Sequence, residues 1–141
     1  MRKILLISFM LSWFFGSCTD EFQRPSRAVS GTYICNAAAS DSKQQIDLEK
    51  DGYRLVISSG SDKDIISIKI FGKDDQLYFS TGEMNMKDNG QAYEIDQTMD
   101  VYSSIFGGNQ RATVFGVIEH DRRVNITVYL IEKDIEFNFY Q

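Results

Sequence analysis

The sequence predicts an all-β domain: an antiparallel up-and-down barrel of about eight or nine strands, with a two-sheet sandwich as the alternative. Three observations carry this. Apolar and polar residues alternate with period two over several long runs. The breaks between runs are short and carry turn residues. The last run alternates almost to the C-terminus without a Pro or Lys to protect an open edge. The chain has 141 residues, which suits one domain.

The clearest run is 93–101. Tyr93, Ile95, Gln97, Met99 and Val101 share one face, and Glu94, Asp96, Thr98 and Asp100 the other. A helix would scatter these residues, whereas a pleated strand separates them. Val124, Ile126, Val128 and Leu130 alternate in the same way, as do Ile135, Phe137 and Phe139. Weaker runs fall at 31–36, 44–49, 53–58, 64–71, 76–81 and 111–119, making nine candidate strands. Ser59-Gly60-Ser61-Asp62, Gly72-Lys73-Asp74-Asp75, Asp88-Asn89-Gly90, His120-Asp121 and Lys133-Asp134 supply the breaks. Connections this short favour antiparallel neighbours, because a parallel crossover needs a dozen or more residues. Pairing 134–140 with 31–36 would close the sheet, with Ile135, Phe137 and Phe139 facing the core.

The N-terminus is of another kind. Arg2 and Lys3 precede an apolar run of 12 residues, Ile4 to Phe15, too short for a membrane span and suited to a signal-peptide core. Phe15-Gly16-Ser17-Cys18 follows and resembles a bacterial lipobox. The resemblance implies lipidation of Cys18 and cleavage before it, giving a signal peptide over 1–17; an ordinary secretory signal is the alternative. Thr19-Asp20-Glu21 resembles the acidic export signal of surface lipoproteins of the Bacteroidota. That implies an outer-membrane, lipid-anchored protein displayed at the cell surface. Residues 18–30 then hold the lipidated Cys and a flexible tether with the only Pro, Pro25, and 31–141 the single all-β domain.

Gly31-Thr32-Tyr33 opens the first strand and resembles the Gly-x-Trp start of lipocalins and other calycins, particularly the calycin-like lipoproteins of gut Bacteroidota. The resemblance implies a calycin-like barrel. Taken by itself, Tyr33 reads as a core aromatic. An immunoglobulin domain is disfavoured, since without residues 1–17 the chain lacks both Trp and a Cys pair.

Composition limits the partners. The formal charge is −5, and loss of Arg2 and Lys3 with the signal would leave −7. An acidic chain argues against nucleic acid, whose phosphates need a basic face. With Cys18 lipidated, Cys35 has no partner, so neither an internal disulfide nor a cysteine zinc site can form. Cys35 lies in an apolar stretch and reads as a buried, inert thiol.

Catalytic and metal sites are not predicted. His120, the only histidine, sits between Glu119 and Asp121, but adjacent turn residues point in different directions and make no triad. Glu94, Asp96 and Asp100 read as a solvated face rather than an acid/base pair in a cleft. Asp62/Asp64 and Asp74/Asp75 lack a calcium-loop register. No cofactor is expected, and the domain reads as non-enzymatic.

One loop stands out. Residues 103–110 place Ile105 and Phe106 beside Gly107 and Gly108, followed by Asn109 and Gln110. Either the two apolar side chains plug the barrel end, or the six residues Ile105–Gln110 form a ligand-contact surface at its mouth. The expected function is a lipid-anchored cell-envelope binding module, with a small apolar molecule, a glycan or an envelope protein as ligand. The alternative is a structural or accessory subunit of an envelope protein complex.

Overall fold

A computed structural model describes residues 24–41, 45–46 and 49–141. Residues 1–23, with the expected signal peptide and Cys18, lie outside the described residues, as do residues 44, 47 and 48 of the expected strand 44–49. The chain forms helix α1 (Pro25–Val29) and strands β1 (Gly31–Asp41), β2 (Gln45–Ile46), β3 (Tyr53–Ser59), β4 (Ile65–Phe71), β5 (Leu77–Ser80), β6 (Met84–Asn85), β7 (Lys87–Asp88), β8 (Ala92–Ser103), β9 (Gly108–Glu119), β10 (Val124–Leu130) and β11 (Ile135–Tyr140). Eight of them run β1-β3-β4-β5-β8-β9-β10-β11 and close through a β11–β1 pairing. The two-residue strands β2, β6 and β7 add to β1, β4 and β8. Every pairing is antiparallel. The fold is thus a closed barrel and not a sandwich.

Alternation directs the packing. Tyr33, Cys35, Ala37 and Ala39 of β1 point inward, as do Leu55 and Ile57 of β3 and Ile66, Ile68 and Ile70 of β4. Val124, Ile126, Val128 and Leu130 of β10 are buried, and so are Phe137 and Phe139 of β11. Ile135 packs partly buried against the same core. Gly116 of β9 pairs with Ile126 of β10. Its φ is +145°, and a Cβ there would stand 2.1 Å from the Asn125 carbonyl oxygen, so only glycine allows the close approach of β10.

Closure pairs the expected strands but at a different register. β11 runs from Asn36↔Tyr140 to Asp41↔Ile135, so it meets 36–41 and shares only Asn36 with the expected partner segment. Residues 31–35 pair instead with β3, on the other edge of β1. The cause is the stagger that closing a sheet requires. β1 extends through Ala37-Ala38-Ala39-Ser40-Asp41, a stretch poor in β-branched residues and so weak as a local strand signal. Its alanines suit the position: Ala37 pairs with Phe139 and Ala39 with Phe137, small against large across a crowded interior.

Two further departures come from tertiary contacts. Pro25–Val29, within the segment read as a flexible tether, forms a helical turn docked on the barrel. Ser26 N–H donates to the Lys63 carbonyl at 2.8 Å, Val29 is buried, and the Tyr33 hydroxyl donates to the Val29 carbonyl at 2.5 Å. Residues 82–91, outside the expected strands, carry β6 and β7. Thr81 leads in, its N–H donating to the Ile68 carbonyl and its Oγ1 accepting the Ile68 N–H, both at 2.9 Å.

Candidate functional site

The antiparallel order gives the barrel two unlike ends. At one lie α1, the 60–64 turn and the 120–123 turn. At the other, the mouth, lie the connections 72–76, 104–107 and 131–134 and the approach to β3.

The loop singled out in the sequence is shorter than expected. β8 runs to Ser103 and β9 starts at Gly108, leaving the turn Ser104-Ile105-Phe106-Gly107. Ile105 and Phe106 are half-buried and pack on the core. The Phe106 ring meets Phe137 edge-on at 6.0 Å, and Lys133 Nζ stands 5.1 Å from its centroid. The Ser104 hydroxyl donates to the Leu77 carbonyl and ties the turn to β5. Gly107 and Gly108 have φ of +73° and +140° with open space where a Cβ would stand, so the backbone conformation, not crowding, calls for glycine. Asn109 and Gln110 belong to β9 and pair with Tyr102 and Val101. The Gln110 amide reaches back to the Phe106 carbonyl at 3.5 Å. The structure therefore keeps Ile105–Gln110 at the mouth, but as a turn and a strand start. The Ser103 hydroxyl beside it is buried with no hydrogen-bond partner among the described residues.

From Phe106 a chain of edge-to-face rings crosses the mouth. Phe137 meets Phe79 at 5.1 Å, Phe79 meets Phe139 at 6.2 Å, Phe139 meets Tyr53 at 5.7 Å and Tyr53 meets Tyr78 at 5.4 Å. These are favourable arrangements for aromatic quadrupoles. They fill the mouth end of the barrel with side chains.

Beyond the last pair opens a cleft of about 240 Å³ lined by Glu49, Tyr53, Lys73, Asp74 and Tyr78. Sequence reasoning missed this set. Tyr53 is only 2% exposed and forms the floor. Burial pushes its hydroxyl well above the ordinary tyrosine range, helped by a hydrogen bond with Tyr78 and by the charges of Glu49 and Asp74. The 72–76 turn is held by Gly72 N–H donating to the Gln76 carbonyl at 2.8 Å and by Asp74 Oδ1 accepting the Gln76 N–H at 3.3 Å. Asp75, weighed with Asp74 as a calcium pair, instead bonds Arg54. A legible signal does exist: Tyr53 opens an alternating run directly after Gly52, and Gly72-Lys73-Asp74-Asp75 carries turn residues.

Other candidates fall apart spatially. His120 stands 3.3 Å from Asp88 and packs on the Tyr93 ring, while Glu119 and Asp121 both pair with Arg123, at 2.7 and 2.9 Å. Glu94, Asp96 and Asp100 are exposed, with Glu94 accepting from the Asn89 amide and Asp100 facing Arg111. Asp62 and Asp64 lie at the opposite end, beside α1 and β6. Among the described residues no three His, Cys, Asp or Glu side chains group as a metal site. Cys35 is buried, and desolvation pushes its thiol up to about 11.

Comparison of the chain with protein families, curated proteins and solved structures finds no match. The closed eight-stranded antiparallel barrel is consistent with a calycin-like fold.

Proposed function

We propose that this protein is a non-enzymatic binding module of the bacterial outer membrane, anchored by a lipid on Cys18 and displayed at the cell surface, in the manner of Bacteroidota lipoproteins. The observation that carries this reading is the polarity of the barrel. Cys18 precedes Arg24 by six residues, and an extended chain spans at most about 3.6 Å per residue. The α1 end therefore stays within about 20 Å of the anchor. The ring relay and the cleft lie at the other end, which this reading directs away from the membrane. An open cleft with tyrosine walls supports a ligand-binding module over a structural subunit. The exposed apolar side chains, Ile34, Tyr102, Phe115 and Ile131, are spread over β1, β8, β9 and the turn after β10.

The test is a screen of the chain against envelope glycans, lipids and proteins, repeated with one variant at each end. Phe106→Ala at the mouth should weaken binding by about fivefold or more, since aromatic anchors carry much of an interface's energy. Arg122→Ala at the closed end should leave it unchanged. The reverse result overturns the reading. Cys18→Ser should leave uncleaved precursor; a cleaved Cys18→Ser form that still fractionates with membranes rejects the anchor.

A further inference from the structure

The cleft at the mouth has a charge and a size that name a ligand class, given the reading of the protein as a binding module. We propose that the cleft formed by Glu49, Tyr53, Lys73, Asp74 and Tyr78 binds a small organic ammonium group, free or as the amine of an amino sugar.

Charge comes first. Glu49 and Asp74 line the cleft, and among the described residues no cation forms an ion pair with either. Lys73 also lines it, but its Nζ turns to Asp51, 3.7 Å away. Its stem lies over Gly52, where a Cβ would come within 3.2 Å of Lys73 Cγ. The lysine thus serves as a wall whose charge is answered from outside, and the cleft keeps two carboxylates for its contents. After burial and Tyr78, the charges of both also help raise the Tyr53 hydroxyl at the floor.

The walls fit the same group. Tyr78 stands at 77° to Tyr53, their centroids 5.4 Å apart, and both tyrosines line the cleft. An aromatic face and oxygen acceptors together suit an alkylammonium, which is held by cation–π attraction and charge-assisted hydrogen bonds. The Tyr78 ring is set against Gly72, where a Cβ would stand 2.7 Å from Tyr78 Cε1. The size agrees: about 240 Å³ is below the range of roughly 300–1,000 Å³ for drug-sized ligands, so a small amine or one sugar residue is the scale. An anion would meet two carboxylates. A purely apolar ligand would strip water from them without compensation.

The experiment uses the full chain in detergent micelles with ¹³C-labelled tyrosine rings. It titrates n-butylammonium, glucosamine, glucose and N-acetylglucosamine at pH 7. Five of the seven tyrosines lie outside the cleft and serve as internal references. Saturable shifts of Tyr53 and Tyr78 with both amines, and with neither neutral sugar, are expected. Glucosamine binding more tightly than butylammonium would mark an amino sugar as the source; equal affinities would mark a free amine. Glu49→Gln and Asp74→Asn should each weaken the amines about three- to tenfold, and 0.5 M salt should weaken them further. Gly72→Ala should move the Tyr78 signal and weaken both amines without moving Tyr33. Amines that leave Tyr53 and Tyr78 unmoved, or glucose that shifts them as strongly as glucosamine, overturn the assignment. An envelope ligand lost in Phe106→Ala while amines leave the cleft unmoved rejects the ammonium group and retains the binding module. Amines bound at the cleft with no mouth-dependent envelope ligand do the opposite.

Discussion

The closed end and the mouth of this barrel are sealed by different chemistry. At the closed end, α1 is latched by polar contacts between distant segments. Ser26 bonds to the 60–64 turn, and Arg122 donates to the Ser30 carbonyl at 3.1 Å while its guanidinium covers the Tyr33 ring at 5.3 Å. At the mouth the seal is a relay of rings from Phe106 to Tyr78, with charged turns around it. The latch leaves its backbone groups satisfied and its apolar side chain, Val29, hidden. The rings leave aromatic surface and carboxylates at the rim. One barrel therefore separates a polar latch at one end from an aromatic, acid-rimmed mouth at the other.

Removing the strand shared by both ends is the severest test of that separation. Deletion of 134–141 takes away β11 with the buried Phe137 and Phe139, each worth about 1.5–3 kcal/mol when buried, and opens the sheet between β10 and β1. Loss of the cooperative thermal transition by circular dichroism is expected. A truncated chain that keeps its melting temperature refutes closure as a source of stability.

A smaller effect probes the latch alone. Tyr33→Phe removes the donor to the Val29 carbonyl and should cost about 1–3 kcal/mol, because a buried carbonyl loses its partner. Denaturant midpoints give the cost. Hydrogen exchange should quicken at Ser26 while the Tyr78 signal stays in place. Movement at Tyr78 would mean that the two ends are coupled.

At the mouth, Phe106→Ala is expected to cost about 1–2 kcal/mol, less than the roughly 3–5 kcal/mol of a fully buried phenylalanine, since the ring is half-exposed. A loss at the upper figure, with ligand affinity unchanged, would make Phe106 a core plug and move recognition wholly to the cleft.

The smallest effect concerns pH. Cys35 titrates ordinarily at 9.0 and is pushed to about 11 by burial. Below pH 9 the thiol is protonated in both folded and unfolded chains. Between pH 9 and 11 the unfolded chain releases the proton and the folded one retains it, so stability falls as pH rises. Tyr33 at the closed end and Tyr53 at the mouth are raised as well and act in the same direction at higher pH. Urea midpoints across pH 7–11 should decline from about pH 9, and Cys35→Ala should flatten the first part of that decline. An unchanged slope would assign the loss to the tyrosines.

Much of this molecule was legible locally. Alternation in 93–101, 124–130 and 135–140 identifies strands and their inward faces, and Asp88-Asn89-Gly90 identifies a tight turn. Tyr33 and Cys35 took the buried places expected of them. Ile105 and Phe106 were marked as unusual for a loop, and they do lie at the mouth. These features depend on residues close in the chain, where side-chain direction follows from the pleat.

Tertiary structure decided the rest. The pairing of β11 with 36–41 depends on barrel stagger, which no single strand encodes. Helix α1 exists where Val29 and Ser26 find partners in β1 and the 60–64 turn, although the segment itself resembles a linker. The cleft joins Glu49 and Tyr53, from the approach and start of β3, to Lys73 and Asp74 of a turn and Tyr78 of β5. In sequence these are an exposed acid, a core tyrosine and an ordinary turn; the pairing of β3, β4 and β5 brings them around one space. Local pattern sets which way a side chain points, but only strand order and register set what it faces.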